Sequence, residues 1–310
     1  MFPVLCRRVG SVTYRRERLE LEDGDFLDLD WALAKPTAAE AGRHKSKVVI
    51  IAHGLEGSAQ GTYVKGMVCA FNRRGWDVLA LNFRGCSGES NRLLRSYHSG
   101  ATADLKYVSE HAVAAGYRQV ALVGFSLGGN VVLKLLGEWG AQAPSWLVGG
   151  VGISVPCDLK ASSEAMARWR NRVYMSRFLI SLRGKLRAKQ ARFPVECDDS
   201  GYRRVRTFRD FDDRYTAPMH GFRDAEDYWA RCSARFFLEA IRRPALLLSA
   251  LDDPFLAPEC FPGEVAAKHE WLHLETPGQG GHVGFVGSGH YPGEYYSERC
   301  AATFLDGLCT

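Results

Sequence analysis

Gln119-Val120-Ala121-Leu122-Val123-Gly124-Phe125-Ser126-Leu127-Gly128-Gly129-Asn130 is the stretch on which the fold turns. Residues 119–124 are a short apolar, β-branched run closed by glycine, the pattern of a strand buried on both faces. Residues 127–139 continue with apolar side chains at helical spacing, so the chain passes from strand to helix across Ser126. A turn that sharp leaves no room for side chains two places before and two places after its apex, and Gly124 and Gly128 stand there. The apex hydroxyl is thereby lifted above the strand end, over a helix amino terminus that favours negative charge.

The same rhythm runs outward in both directions. Residues 47–52 (KVVIIA) and 76–82 read as further buried strands, 63–74 and 102–115 as helices, and 146–155 as the next strand. Strand alternating with helix predicts an α/β fold, a mostly parallel central sheet with helices on both faces. Ahead of it, 12–21 and 26–33 flank Asp23-Gly24-Asp25 and predict an antiparallel pair around a turn. Residues 158–235 break the alternation, being polar, helical and rich in arginine and aromatic residues. We expect an inserted helical cap there, with a core formed by residues 1–157 and 236–310. In the second part, 244–251 and 271–275 read as strands and 293–308 as a closing helix.

The chain has 310 residues, 46% hydrophobic and 24% charged, which suits a packed core and excludes disorder. A net charge of +5 gives no ground for nucleic acid as a partner. Charge is nonetheless concentrated: residues 168–192 hold nine Lys or Arg and no acid, with Met175, Leu179, Leu182 and Leu186 at helical spacing. Such a helix can cover an apolar pocket, make weak peripheral contact with an anionic membrane, or simply expose a solvated basic face. Nine scattered cysteines with no C-x-x-C pair fit a reducing compartment better than a disulfide framework. The amino terminus is too short in apolar residues for a secretory signal, and the uncharged run 120–133 falls short of a bilayer span. A soluble, cytoplasmic protein is the expectation.

A serine hydroxyl needs a base to take its proton and a carboxylate to orient that base. In a strand-loop-helix architecture of this kind both follow the serine in the chain, acid first. The loop after 245–248 carries Asp252-Asp253-Pro254, and Gly280-Gly281-His282-Val283-Gly284 follows the last strand. Asp253 is the expected acid and His282 the expected base, with Asp252 capping the turn and Asp158 as a fallback acid. The backbone amides of Leu55, in His53-Gly54-Leu55-Glu56-Gly57, and of Leu127 are the expected oxyanion donors, with His53 a structural loop residue. Together these residue types imply acyl transfer to water.

A competing motif, His269-Glu270-Trp271-Leu272-His273, matches the H-E-x-x-H pattern of zinc metalloproteases. Residues 271–275 also fit the strand preceding His282, and on a strand the two histidines would stand roughly 13 Å apart, too far to share an ion.

Several stretches taken together resemble the YheT-like branch of the α/β hydrolases: residues 53–58, Asn82-Phe83-Arg84-Gly85-Cys86-Ser87-Gly88, Tyr97-His98-Ser99-Gly100 with Asp104-Leu105, residues 124–130, Phe211-Asp212-Asp213 with Tyr215-Thr216-Ala217-Pro218, Asp252-Asp253-Pro254-Phe255 and residues 280–285. The resemblance spans about residues 19–304. It implies a hydrolase of short- to medium-chain carboxylic esters, with triad roles on Ser126, Asp253 and His282 and with no metal or organic cofactor. Some eukaryotic relatives carry an amino-terminal membrane anchor and act on phospholipids. This chain begins close to its first strand, which favours a bacterial-type cytosolic protein. The basic cap suggests acyl groups on anionic heads. Thioesterase and lipase activities stay open, and the rival from another class is a catalytically silent protein of the same fold that binds a small ligand or a protein.

Overall fold

The computed structural model describes residues 7, 9, 11–35, 46–286 and 293–309. Its described strands form one eight-stranded sheet in the order β1-β2-β4-β3-β5-β6-β7-β8. These are β1 (Arg15–Glu20), β2 (Phe26–Ala32), β3 (Lys47–Ala52), β4 (Asp77–Asn82), β5 (Gln119–Phe125), β6 (Leu147–Ile153), β7 (Ala245–Leu248) and β8 (Leu272–Glu275). The first two pair antiparallel across the turn at Gly24, whose φ of 83° suits glycine. β2 joins β4 antiparallel, and every pairing from β4 to β8 is parallel.

Alternation along each apolar strand supplies two cores, one per face. Val48, Ile50, Leu79, Leu81, Val120 and Leu122 pack with α2 (Thr102–Ala114) and α3 (Leu127–Trp139). Val49, Ile51, Val78, Ala80, Ala121 and Val123 face the opposite way, toward α1 (Thr62–Asn72) and the carboxyl-terminal helix Tyr296–Asp306.

The order reverses around β3: the chain leaves it on one side to build β4, then crosses to the other side to build β5. The carboxyl ends stay level across this point, with Ala52 opposite Gly124, Phe125 opposite Ile153, Ile153 opposite Leu248 and Leu248 opposite Glu275. Loops beginning at residues 53, 126, 154, 249 and 276 therefore emerge along one sheet edge, where open α/β sheets form their crevice.

Between β6 and β7 the chain is helical, including α4 (Leu159–Ala167), α5 (Arg172–Gln190) and α6 (Ala225–Cys232). Met166, Met175, Leu179, Leu186, Tyr202, Phe211 and Tyr215 form a cluster separate from the two sheet cores, with Phe255 and Leu94 packed into it. No described helix is long and apolar enough to cross a membrane.

Candidate active site

Ser126 sits at the turn between β5 and α3 with φ 52° and ψ −117°, a left-handed conformation that costs a non-glycine residue about 1–3 kcal/mol. The neighbours enforce it. Ser126 donates its N–H to Ile153 O at 2.8 Å, and its own carbonyl accepts Asn130 N–H at 3.0 Å. A Cβ at Gly124 would lie 2.2 Å from Gly128 O, and one at Gly128 would lie 2.3 Å from Ala52 O, so both positions exclude side chains. Asn130 donates to Ser99 O and Cys232 O, each at 2.8 Å, and accepts Ala234 N–H at 2.9 Å. One buried amide thus ties the elbow helix to two other segments. Its sequence signal was a polar residue in the first turn of a mostly apolar helical run.

His282 comes from the loop after β8. Its Nε2 lies 3.0 Å from Ser126 Oγ, and its Nδ1 lies 2.8 Å from Asp253 Oδ2. With Nδ1–H donated to the carboxylate, Nε2 is left as the acceptor facing the hydroxyl. Asp253 is buried, and its other oxygen accepts Phe255 N–H at 3.0 Å. The Phe255 ring covers the imidazole at 4.4 Å between centroids.

Asp252 has a different task from the one expected of it. It does not cap the turn. Its Oδ1 accepts the N–H groups of Gly280 and Gly281 at 2.8 and 2.7 Å, fastening the loop that carries His282. Both carboxylates thus reach the 280–282 loop, Asp252 from the exposed side through backbone amides and Asp253, buried, through the imidazole. Val283 N–H, donated to Ser154 Oγ at 3.1 Å, holds the same loop from the other side. The fallback acid Asp158 serves elsewhere: it caps α4 by accepting Ala161 N–H at 3.0 Å and pairs with Arg235.

The loop after β3 lies against the serine, since a Cβ at Gly54 would come 3.3 Å from Ser126 Cβ. Neither Leu55 N–H nor Leu127 N–H is donated to another group among the described residues. His53 is structural: Nδ1–H donates to Gly54 O at 2.7 Å, Nε2 accepts Phe83 N–H at 3.2 Å, and complete burial lowers its pKa to about 4. Glu56 has φ 56° and is held by three outside groups, one of them Ser181 Oγ–H, which donates to Oε2. Tyr97 OH lies 2.7 Å from Glu56 Oε1 and also accepts the Glu56 N–H at 2.9 Å, while Lys185 Nζ from α5 lies 2.9 Å from Oε1.

A cavity of about 180 Å³ opens above Ser126 and His282, walled by Met166, Phe178, Leu182, Leu186, Phe208 and Phe211. Two basic residues of α5 reach it and both are committed. Lys185 pairs with Glu56, while Lys189 donates to the carbonyls of Leu93, Leu94 and Arg95 at 2.8–3.3 Å. Burial lowers the Lys189 pKa to about 8. At the cavity, neither of these two lysines is a free cation. Opposite them, burial raises Asp212 to about 7, with its oxygens accepting Thr216 Oγ1–H and Trp229 Nε1–H.

The metalloprotease pattern does not form a helical pair. His269 follows a short helix and accepts the N–H groups of Trp271 and Leu272 on Nδ1, while His273 lies on β8 against Phe304. Strand pairing with β7 overrides the helical spacing that the pattern requires.

Sheet order, elbow and loop placement define an α/β hydrolase. A model of the alpha/beta hydrolase fold matches residues 47–145. YheT of Escherichia coli (strain K12), which carries an esterase designation, is 39% identical over 93% of this chain and 83% of its own length. Phospholipase ABHD3 of Mus musculus is 29% identical over 96% of this chain and 72% of its own. A solved esterase of Pyrococcus furiosus superposes with a TM-score of 0.59 at 16% identity, covering 97% of this chain and 98% of that one, a likeness of fold. The chain belongs to the YheT-like branch of the α/β-hydrolase family.

Proposed function

We propose that this protein is a serine hydrolase of carboxylic esters with short- to medium-chain acyl groups, working through an acyl-enzyme. The observation that carries the reading is the continuous chain Asp253 Oδ2, His282 Nδ1, His282 Nε2 and Ser126 Oγ, with links of 2.8 and 3.0 Å, at the floor of a largely apolar cavity. Ser126 Oγ attacks the ester carbonyl as His282 Nε2 takes its proton, and Asp253 stabilises the imidazolium that forms. The oxyanion is held by the amides of Leu55 and Leu127, the second at the amino terminus of α3. His282 then returns the proton to the leaving alcohol, and water reverses the sequence at the acyl-enzyme. Residues 158–235 act as the cap that sets chain length, since α4 and α5 supply Met166, Phe178, Leu182 and Leu186 to the cavity wall. The esterase and phospholipase names of its relatives support the ester class.

The test is a p-nitrophenyl ester series from acetate upward, run on the parent protein and on Ser126→Ala, with fluorophosphonate labelling alongside. Turnover and labelling should both vanish in the variant while its unfolding curve stays unchanged. Equal activity in the two proteins would exclude Ser126 as nucleophile. A parent inert to every ester and to the label would favour a silent binding protein.

A further inference from the structure

Helix α5 is apolar on two opposite sides. Met175, Leu179, Leu182 and Leu186 recur at helical spacing and pack inward, which explains them. Val173 and Ile180 lie two turns apart on the other side, and they are 65% and 72% exposed. Trp169, in the turn leading into the helix, is 76% exposed. Packing within the chain accounts for none of these three.

The basic residues sort in the same way. Lys185 and Lys189 point inward, Arg183 and Arg187 pair with Asp199, and Arg192 donates to the carbonyls of Asn91 and Arg92. That leaves Arg168, Arg170, Arg172 and Arg177, all exposed and none in an ion pair among the described residues. Four uncompensated cations thus surround three exposed apolar side chains within 13 positions of sequence, Arg168 to Ile180, with no acidic residue between them.

We propose that this outer face of the cap, Trp169, Val173 and Ile180 with their flanking arginines, docks on an anionic lipid surface. Cations meet the head groups, and the apolar side chains enter the boundary beneath them. A lipid surface fits better than an acidic protein or nucleic acid, because the apolar residues gain only where hydrocarbon lies behind the charge. The inner side of the same helix walls the cavity above Ser126, so docking brings that cavity to a source of acyl esters. This last step rests on the ester-hydrolase reading; the docking does not.

The experiment is co-sedimentation of the full-length Ser126→Ala protein with sucrose-loaded vesicles, either phosphatidylcholine alone or enriched in phosphatidylglycerol, at low and high salt. Sedimentation is expected with the anionic vesicles at low salt, with release at high salt. Arg170→Gln with Arg177→Gln should weaken partition about 25-fold, at about five-fold per arginine. Trp169→Ser with Ile180→Ser, leaving every arginine in place, should weaken it at least about ten-fold. In the Ser126 background both double variants should hydrolyse a water-soluble ester as the parent does. The proposal is overturned if no anionic vesicle sediments the protein. It is equally overturned if neither double variant weakens binding, or if an RNA homopolymer binds as tightly and the Trp169/Ile180 change has no effect. Docking without turnover of any ester would defeat the functional reading and leave the docking standing.

Discussion

Replacing one carboxylate by its amide at two adjacent positions separates two roles that sit side by side in the chain. In Asp253→Asn the acceptor 2.8 Å from His282 Nδ1 becomes an amide. If its NH2 faces the ring, the imidazole must carry its proton on Nε2, where it can no longer accept from Ser126. The expected loss in kcat is about 10⁴-fold, or about 5 kcal/mol. In Asp252→Asn an oxygen remains to accept the N–H groups of Gly280 and Gly281, and only the charge assistance is lost. At about 1 kcal/mol per bond, the loop can be disfavoured by at most about 2 kcal/mol, or about 30-fold in rate. At least about two and a half orders of magnitude should therefore separate the variants. The assay is steady-state hydrolysis of a p-nitrophenyl ester at neutral pH, with thermal unfolding recorded to establish that both are folded. An Asp252→Asn loss as large as that of Asp253→Asn would refute the assignment, because the imidazole would then be oriented from the other carboxylate.

Acidification should weaken the fold through His53. Its pKa is lowered from 6.5 to about 4, so its contribution is complete above 6.5 and is lost as pH falls through that window, when the unfolded chain protonates first. The loss approaches about 3 kcal/mol by pH 4, and denaturant titrations of the parent against His53→Gln should show the steeper pH dependence in the parent. Gly128→Ala would place a methyl 2.3 Å from Ala52 O and 2.6 Å from His53 O. That variant should yield no soluble protein or lose more than about 4 kcal/mol, whereas Gly263→Ala, with nothing within 4 Å, should express normally. Lys185→Met leaves the Glu56 carboxylate without its cation and should cost about 2 kcal/mol in chemical denaturation. Adding Glu56→Gln should recover part of the loss; strictly additive losses would mean that the pair is not coupled.

Elements were legible from local pattern because each core strand is a compact apolar run: KVVIIA had to be buried on both faces, and β3 is. The sharp strand-to-helix turn at Ser126 was legible for a steric reason, since only glycine fits at positions 124 and 128, and the order Asp253 then His282 follows the order of β7 and β8 along the chain. Strand ends shifted by up to three residues, as at 12–21 against Arg15–Glu20 and 244–251 against Ala245–Leu248, because ladder pairing with a neighbour, rather than the run itself, ends a strand. The different partners of Asp252 and Asp253 depend on where the 280–282 loop lies in the packed structure, which composition does not encode. Long-range partners were beyond local reading altogether. Ser126 and His282 are 156 positions apart, Cys86 and Lys185 are 99 apart, and the acceptors of Lys185 and Lys189 at the cavity lie about that far away along the chain. Hydrophobic period and backbone sterics act within a few residues and are written in the chain. Which buried charge meets which partner is decided by the packed structure, where leaving a buried ionic group unpaired costs more than any local preference can offset.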